Sequence, residues 1–161
     1  MAIERMQPED WERVRSIRLR SLLDAPDAFG TTFEQDEAQG PGVWQERLAS
    51  SNAATFLATM GADDVGLVTG AEFWNREEAC GLFGMRVAPD ARRGGLALQR
   101  VDAVTQWARL ANYPRLILEV GDDNFAAIRL YERCGFVPTG RTSCLPPPRT
   151  HISEHERALV F

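Results

Sequence analysis

The sequence predicts a mixed α/β fold with the element order βααβββαβαββ, and three patterns predict it. Two runs near the middle alternate apolar and polar residues around the turn "GADD", which reads as paired strands. A third apolar run, "CGLFGMRV", turns through glycines into a helical stripe. A late strand, helix and strand then close the chain. With 161 residues and 44% hydrophobic content, the chain is long enough for one domain with a sizeable core and short for two, so residues 1–161 read as a single domain.

Taken in order, "PEDWERVRSIRLRSLL" after Pro8 reads as a helix with Trp11, Val14, Ile17 and Leu22 on one side and arginines on the other. A shorter helix fits "VWQERLAS". Phe56, Ala58 and Met60 share one strand face, and Val65, Leu67, Ala71 and Phe73 share one face of the next run. "CGLFGMRV" is the third strand of this meander. Ala97, Val101, Val104, Ala108 and Ala111 form the buried stripe of the following helix. "RLILEV" is a strand, "NFAAIRLYERCG" a helix closed by Gly135, and "ERALVF" a terminal strand. The prolines of "PTGRTSCLPPPRTH" forbid regular structure, so this segment is a stiff surface loop between two late strands.

Composition narrows the function. No apolar run approaches the roughly 18 residues of a membrane span, and charge at the N-terminus occupies the place of a signal peptide's apolar core, so a cytoplasmic protein without a membrane is expected. Cys80, Cys134 and Cys144 follow no disulfide or metal spacing, which suits a reducing compartment. A net charge of −5 argues against nucleic acid as a partner. His151 and His155 stand four apart, but Ile152 occupies the place of the glutamate in a zinc helix motif, so no metal is expected.

The turn "ARRGGLA" holds the first chemical signal. Gly94 and Gly95 permit backbone angles and close approach that a Cβ would obstruct, so successive N–H groups before the helix can converge on one anion. Arg92 and Arg93 can add charge-assisted bonds to a diphosphate. The alternative is a plain turn with two solvated arginines. No Lys-Ser or Lys-Thr follows, against a P-loop, and the glycine spacing is poor for a dinucleotide fingerprint.

"NFAAIRLYERCGF" supplies the second signal, with Asn124, Ala127 and Tyr131 at helical spacings of three and four. Here the chain resembles the GCN5-related N-acetyltransferase family. That family's signature R/Q-x-x-G-x-G/A after V-x-P is matched by Val87, Pro89, Arg92, Gly95 and Ala97, and its N-x-x-A-x-x-L-Y-x-x-x-G-F is matched by Asn124, Ala127, Leu130, Tyr131, Gly135 and Phe136. Two departures stand out: the glycine usual after the first arginine is displaced to give Arg93-Gly94, and a commonly apolar helix position is Arg100.

The resemblance implies a mostly antiparallel central sheet flanked by helices, with splayed fourth and fifth strands. It implies acetyl-CoA as the acetyl-donor cosubstrate, its pyrophosphate on the backbone N–H groups of Arg93, Gly94, Gly95, Leu96 and Ala97, and its pantetheine arm between "FGMRV" and "ILEV". Met85 then polarises the thioester carbonyl, Asn124 bonds the pantetheine or a neighbouring strand, and Tyr131 protonates the leaving thiolate. Residue by residue, a core tyrosine and a helix-capping asparagine are the plainer readings.

A base is also needed, because a protonated amine cannot attack a thioester. Some family members carry a glutamate on the strand before the phosphate loop, but "CGLFGMRV" has no carboxylate. Glu119 is the expected proton acceptor, directly or through water, and Glu72 the reserve; alternation turns each away from its apolar neighbours. The expected activity is transfer of acetyl to a primary amine, on a small molecule or on a protein or peptide, by direct attack in a ternary complex. A non-catalytic acyl-CoA-binding or sensing module is the alternative, against which Tyr131 counts. The oligomeric state stays open, a homodimer included.

Overall fold

The structure is a computed structural model that describes residues 2–73, 79–87 and 95–161. Seven strands form one sheet in the order β1-β2-β3-β4-β5-β7-β6. They are β1 (Ala2–Arg5), β2 (Ala53–Met60), β3 (Asp63–Glu72), β4 (Cys80–Val87), β5 (Arg115–Gly121), β6 (Val137–Cys144) and β7 (Ser153–Val160). Every pairing is antiparallel except β4 with β5. The helices are α1 (Trp11–Asp24), α2 (Phe33–Glu37), α3 (Pro41–Ala49), α4 (Leu96–Leu110) and α5 (Phe125–Arg133). This is the mixed, mostly antiparallel α/β architecture that the sequence predicts, with α2 as an addition and one correction: residues 138–144, expected as part of a proline loop, belong to β6, where Pro138 is tolerated because β6 is the edge strand and its ladder with β7 is irregular between Pro138 and Thr142. That helix has no apolar stripe to reveal it: Thr32 and Gln35 hold its first turn in a reciprocal capping box, and its one buried residue is Asp36.

Two faces of the sheet are covered, which explains why β2 is buried beyond simple alternation. Leu57 and Leu67 pack with Val14, Ile17 and Trp44 of α1 and α3, while Ala54 and Val68 pack with Val101, Val104 and Trp107 of α4. Met60, expected with the apolar face, is 45% exposed where the strand meets its turn. The buried stripe of α4 is also rotated from the expected one. Leu96, Arg100, Val101, Val104, Trp107 and Ala108 are buried, whereas Ala97 is half-buried and Ala111 exposed.

Arg100 is the anomaly of this core. It is fully buried, and none of its three guanidinium nitrogens has a hydrogen-bond partner among the described residues. The guanidinium occupies the space over Gly66, where a Cβ would overlap Nη1. Burial pushes its pKa down to about 10, and Tyr131 partly opposes that fall. A folded-state pKa below the unfolded one means that the charged form costs stability throughout the range below it, and that the cost is relieved only as pH rises from there toward the unfolded value. Arg100→Met should therefore stabilise the fold at neutral pH, by about 1–3 kcal/mol, because an apolar side chain of similar reach removes an unpaired buried charge. A lower urea midpoint for the variant would refute this.

Candidate active site

The parallel strands β4 and β5 touch only at their starts, through Cys80 opposite Leu116 and Gly81 opposite Ile117. Beyond those pairs they diverge, so the edges of β4 from Leu82 onward and of β5 from Leu118 onward are released from each other. Backbone N–H and C=O groups released in this way require other partners. A cleft of about 1770 Å³ occupies the gap and runs on to the start of α4 and to the loops before α2 and before β7.

A bulge shapes the β4 wall. Thr69 faces Phe83 and Leu67 faces Arg86, so Val68 alone is opposed by Gly84 and Met85. Gly84 has φ +62, a left-handed angle that glycine adopts without strain, and a Cβ there would stand 2.8 Å from Nη1 of Arg18. The glycine inside "LFGMRV" was a legible bulge signal that the sequence reading passed over. Met85, half-buried beside the core, lines the cleft. Val87 ends the strand opposite Gly66.

At the cleft's other end stands the first turn of α4. Gly95 is its N-cap with φ +77, and among the described residues no side chain caps the turn. The first amides, those of Leu96, Ala97 and Leu98, thus have no intrahelical acceptor, and with the helix dipole they make an anion-favouring terminus. Gly95 and Ala97 line the cleft, while Leu96 is buried toward the sheet. Arg92, Arg93 and Gly94 lie outside the described residues.

The helix α5 brings the second motif to the same cleft. Asn124 is its N-cap, its Oδ1 accepting from the Ala127 N–H at 3.3 Å, so the capping reading of this residue holds. Tyr131 lines the cleft and is 6% exposed, with its ring edge-on to Phe136 at 5.8 Å. Burial pushes the phenol's pKa up, Arg100 draws it down and Cys134 adds to the rise, so the hydroxyl stays protonated well above neutral pH. Cys80 is also buried, and desolvation pushes its thiol up to about 12, as suits a structural cysteine.

The carboxylates divide. Glu119 borders the cleft and faces Glu156 across the β5–β7 ladder. Glu72 pairs with Cys80 at the closed end of the splay, is exposed, and is not among the residues lining the cleft. Glu154, opposite Gly121, lines the cleft instead, and the sequence reading missed it. Its carboxyl is pushed up by burial first and by the charges of Glu119 and Asp122 after, against the pull of Arg149. His155 is held away from this role: Arg157 Nε donates to its Nε2 at 3.0 Å, so its Nδ1 carries the proton toward Asp122 at 2.8 Å. Among the described residues no group of three or more His, Cys, Asp or Glu side chains is placed to hold a metal ion.

Comparison with known proteins agrees with this geometry. The model of the Acetyltransferase (GNAT) family matches residues 11–136. Human N-acetyltransferase 8 is 37% identical over 67 residues, which cover 42% of this chain and only 30% of that protein. A GNAT-family acetyltransferase from Streptococcus pneumoniae superposes with a TM-score of 0.79 at 20% identity, over 99% of this chain and 98% of that one. A putative streptothricin acetyltransferase from Bacillus anthracis, solved in complex with acetyl coenzyme A, has a TM-score of 0.63 at 24% identity, over 72% of this chain and 66% of that one. With its divergent fourth and fifth strands and its uncapped helix at the head of the cleft, the chain belongs to the GNAT acetyltransferase family.

Proposed function

We propose that the protein transfers the acetyl group of acetyl-CoA to a primary amine by direct attack within a ternary complex. The observation that carries this reading is the single cleft that joins the α4 N-terminus, the β4 bulge, Tyr131 and Glu119. Acetyl-CoA supplies the acyl group as a thioester. The residues fit it: the uncapped first turn of α4 faces anions, small Ala97 leaves room for a phosphate against the helix, and the parted strand edges offer unpaired backbone to an extended arm. Arg92, Arg93 and Gly94 would complete the phosphate turn.

Within this arrangement the Met85 N–H, at the bulge, polarises the thioester carbonyl. Glu119 takes the proton from the acceptor ammonium, directly or through water, so that the free amine forms the new C–N bond. Tyr131 donates its phenolic proton to sulfur as the C–S bond breaks, and the second proton, shed by the acylated nitrogen as the amide forms, returns through water to restore the phenol. Asn124, by capping α5, sets the helix that carries Tyr131. Glu154 replaces Glu72 as the second carboxylate, because it stands in the cleft, where burial and the charge of Glu119 raise its affinity for a proton. The rival reading, a sensor that binds acyl-CoA without turnover, has no use for a buried protonated phenol beside the thioester's place.

The deciding experiment measures CoA release from acetyl-CoA with a panel of polyamines, aminoglycosides, amino acids, protein N-termini and lysine peptides. Tight CoA binding with no release against any member would favour the sensor. For an acceptor found in this way, Glu119→Gln should depress kcat/KM chiefly at lower pH, by about tenfold or more, since a water route suffices once the amine is largely unprotonated. Superimposable pH–rate profiles for variant and parent would remove Glu119 from the mechanism.

A further inference from the structure

One arginine joins two loops that are distant in sequence and both line the cleft. Arg149 lies in the connection between β6 and β7, residues 145–152. Its Nη1 donates to the carbonyls of Pro26 at 2.6 Å and Phe29 at 2.8 Å, and its Nη2 donates to the carbonyl of Gly30 at 3.1 Å. All three carbonyls belong to the segment between α1 and α2, about 120 positions earlier in the chain. A planar guanidinium can span three acceptors in this way, whereas a lysine ammonium acts as a compact point charge.

Both ends of this staple are themselves anchored. On the side of Arg149, the Leu145 N–H donates to Ile152 O at 3.1 Å, the Arg149 N–H to Pro146 O at 2.9 Å, and the Ile152 N–H to Arg149 O at 3.0 Å, while Leu145 is buried. On the far side Phe29 is 3% exposed, and the guanidinium of Arg18 lies 4.6 Å from its ring centroid. Arg18 in turn donates to Asp36 at 3.0 Å and to Thr31 at 2.9 Å. Thus the staple connects two segments that are each held by their own bonds. Both segments line the cleft, through Pro26, Phe29 and Gly30 on one side and Leu145, Pro146 and Ile152 on the other.

We propose that Arg149 is a specificity-determining residue that fixes the width of the acceptor end of the cleft, and that the acceptor admitted is a slender cationic amine, such as an aliphatic diamine, in preference to a peptide. The inference rests on the acetyltransferase reading above. Loops with few regular backbone bonds open at low free-energy cost, so three charge-assisted bonds across them decide whether they move as one wall or two. Among the described residues lining the cleft, the carboxylates of Asp27, Glu119, Asp122, Asp123 and Glu154 outnumber the guanidinium groups of Arg18, Arg86 and Arg133, which gives the selected amine its charge preference.

The test uses the full chain as parent, Arg149→Ala and Arg149→Lys. Transfer from acetyl-CoA is measured to putrescine and to an N-acetylated, C-amidated hexapeptide whose single lysine is its only charge, together with amide exchange in segments 25–32 and 145–152 and CoA affinity by calorimetry. The parent should prefer putrescine. Arg149→Ala should speed exchange in both segments, keep CoA affinity within about twofold, and raise the peptide-to-putrescine ratio of kcat/KM by about tenfold or more, with Arg149→Lys between. Unchanged exchange, a parent that prefers the peptide, or loosened loops with an unmoved ratio would each overturn the inference while leaving acetyl transfer standing. A parent that binds CoA but acetylates neither these amines nor any of the wider panel would instead remove the acetyltransferase reading, and this inference with it. Should Arg149→Ala fail to fold, Arg149→Lys decides, because it keeps the charge and most of the apolar stem.

Discussion

Tyr131→Phe should lower kcat by about a hundred- to ten-thousand-fold, the usual worth of a positioned acid, while CoA affinity and the denaturation midpoint stay close to the parent's. The structure makes this a sharp test. Among the described residues nothing takes a hydrogen bond from the Tyr131 hydroxyl, so its removal breaks no bond of the core, and the ring that packs edge-on against Phe136 is retained. The buried phenol is held protonated by desolvation, which is the state a proton donor needs. The phenol's pKa lies above the working range, so the parent's activity should show no alkaline loss attributable to Tyr131 below the point where the fold itself fails. A decrease in kcat of less than about threefold would return Tyr131 to a purely packing role.

Ala97→Glu should weaken CoA binding by about a hundredfold or more, with no loss of fold stability. The two halves of that expectation come from the same dipole. A glutamate in the first turn of α4 is favourable for the helix, since negative charge suits the helix N-terminus, and Ala97 is only half-buried, so the larger side chain has room to turn outward. The same charge and bulk would stand where the proposed function sets a pyrophosphate against the amides of Leu96, Ala97 and Leu98. Calorimetry on the folded variant reads the effect directly, and parent-like affinity would exclude the α4 terminus as the phosphate site.

Both residues can be singled out from sequence because the patterns that mark them are local. Tyr131 and Asn124 stand on one helix at fixed spacings, and Gly95 and Ala97 at a strand-to-helix turn, so chain order alone places them relative to one another. The same holds for most of the fold: alternation and helical stripes mark the strands and the longer helices, because burial of one face is written into neighbouring residues. Met60, Ala97 and Ala111 were misplaced for the complementary reason. Their exposure depends on where a covering element ends, which a periodic pattern does not encode.

By itself, the sequence determined the order of elements apart from α2, and the motif helix α5, each a matter of backbone preference and spacing within a few residues. Tertiary structure alone decided which carboxylates share the cleft. Glu72 and Glu119 looked alike on their strands, yet antiparallel pairing carries Glu72 to the closed end, while the β5–β7 ladder brings Glu154 beside the cleft with Glu119. It also decided that Arg100 is buried over Gly66 and that Arg149, one cation in a proline loop, meets three carbonyls from the other end of the chain. Contacts between residues distant in sequence are fixed by strand order and loop packing, and a single chain leaves no trace of them in its local pattern.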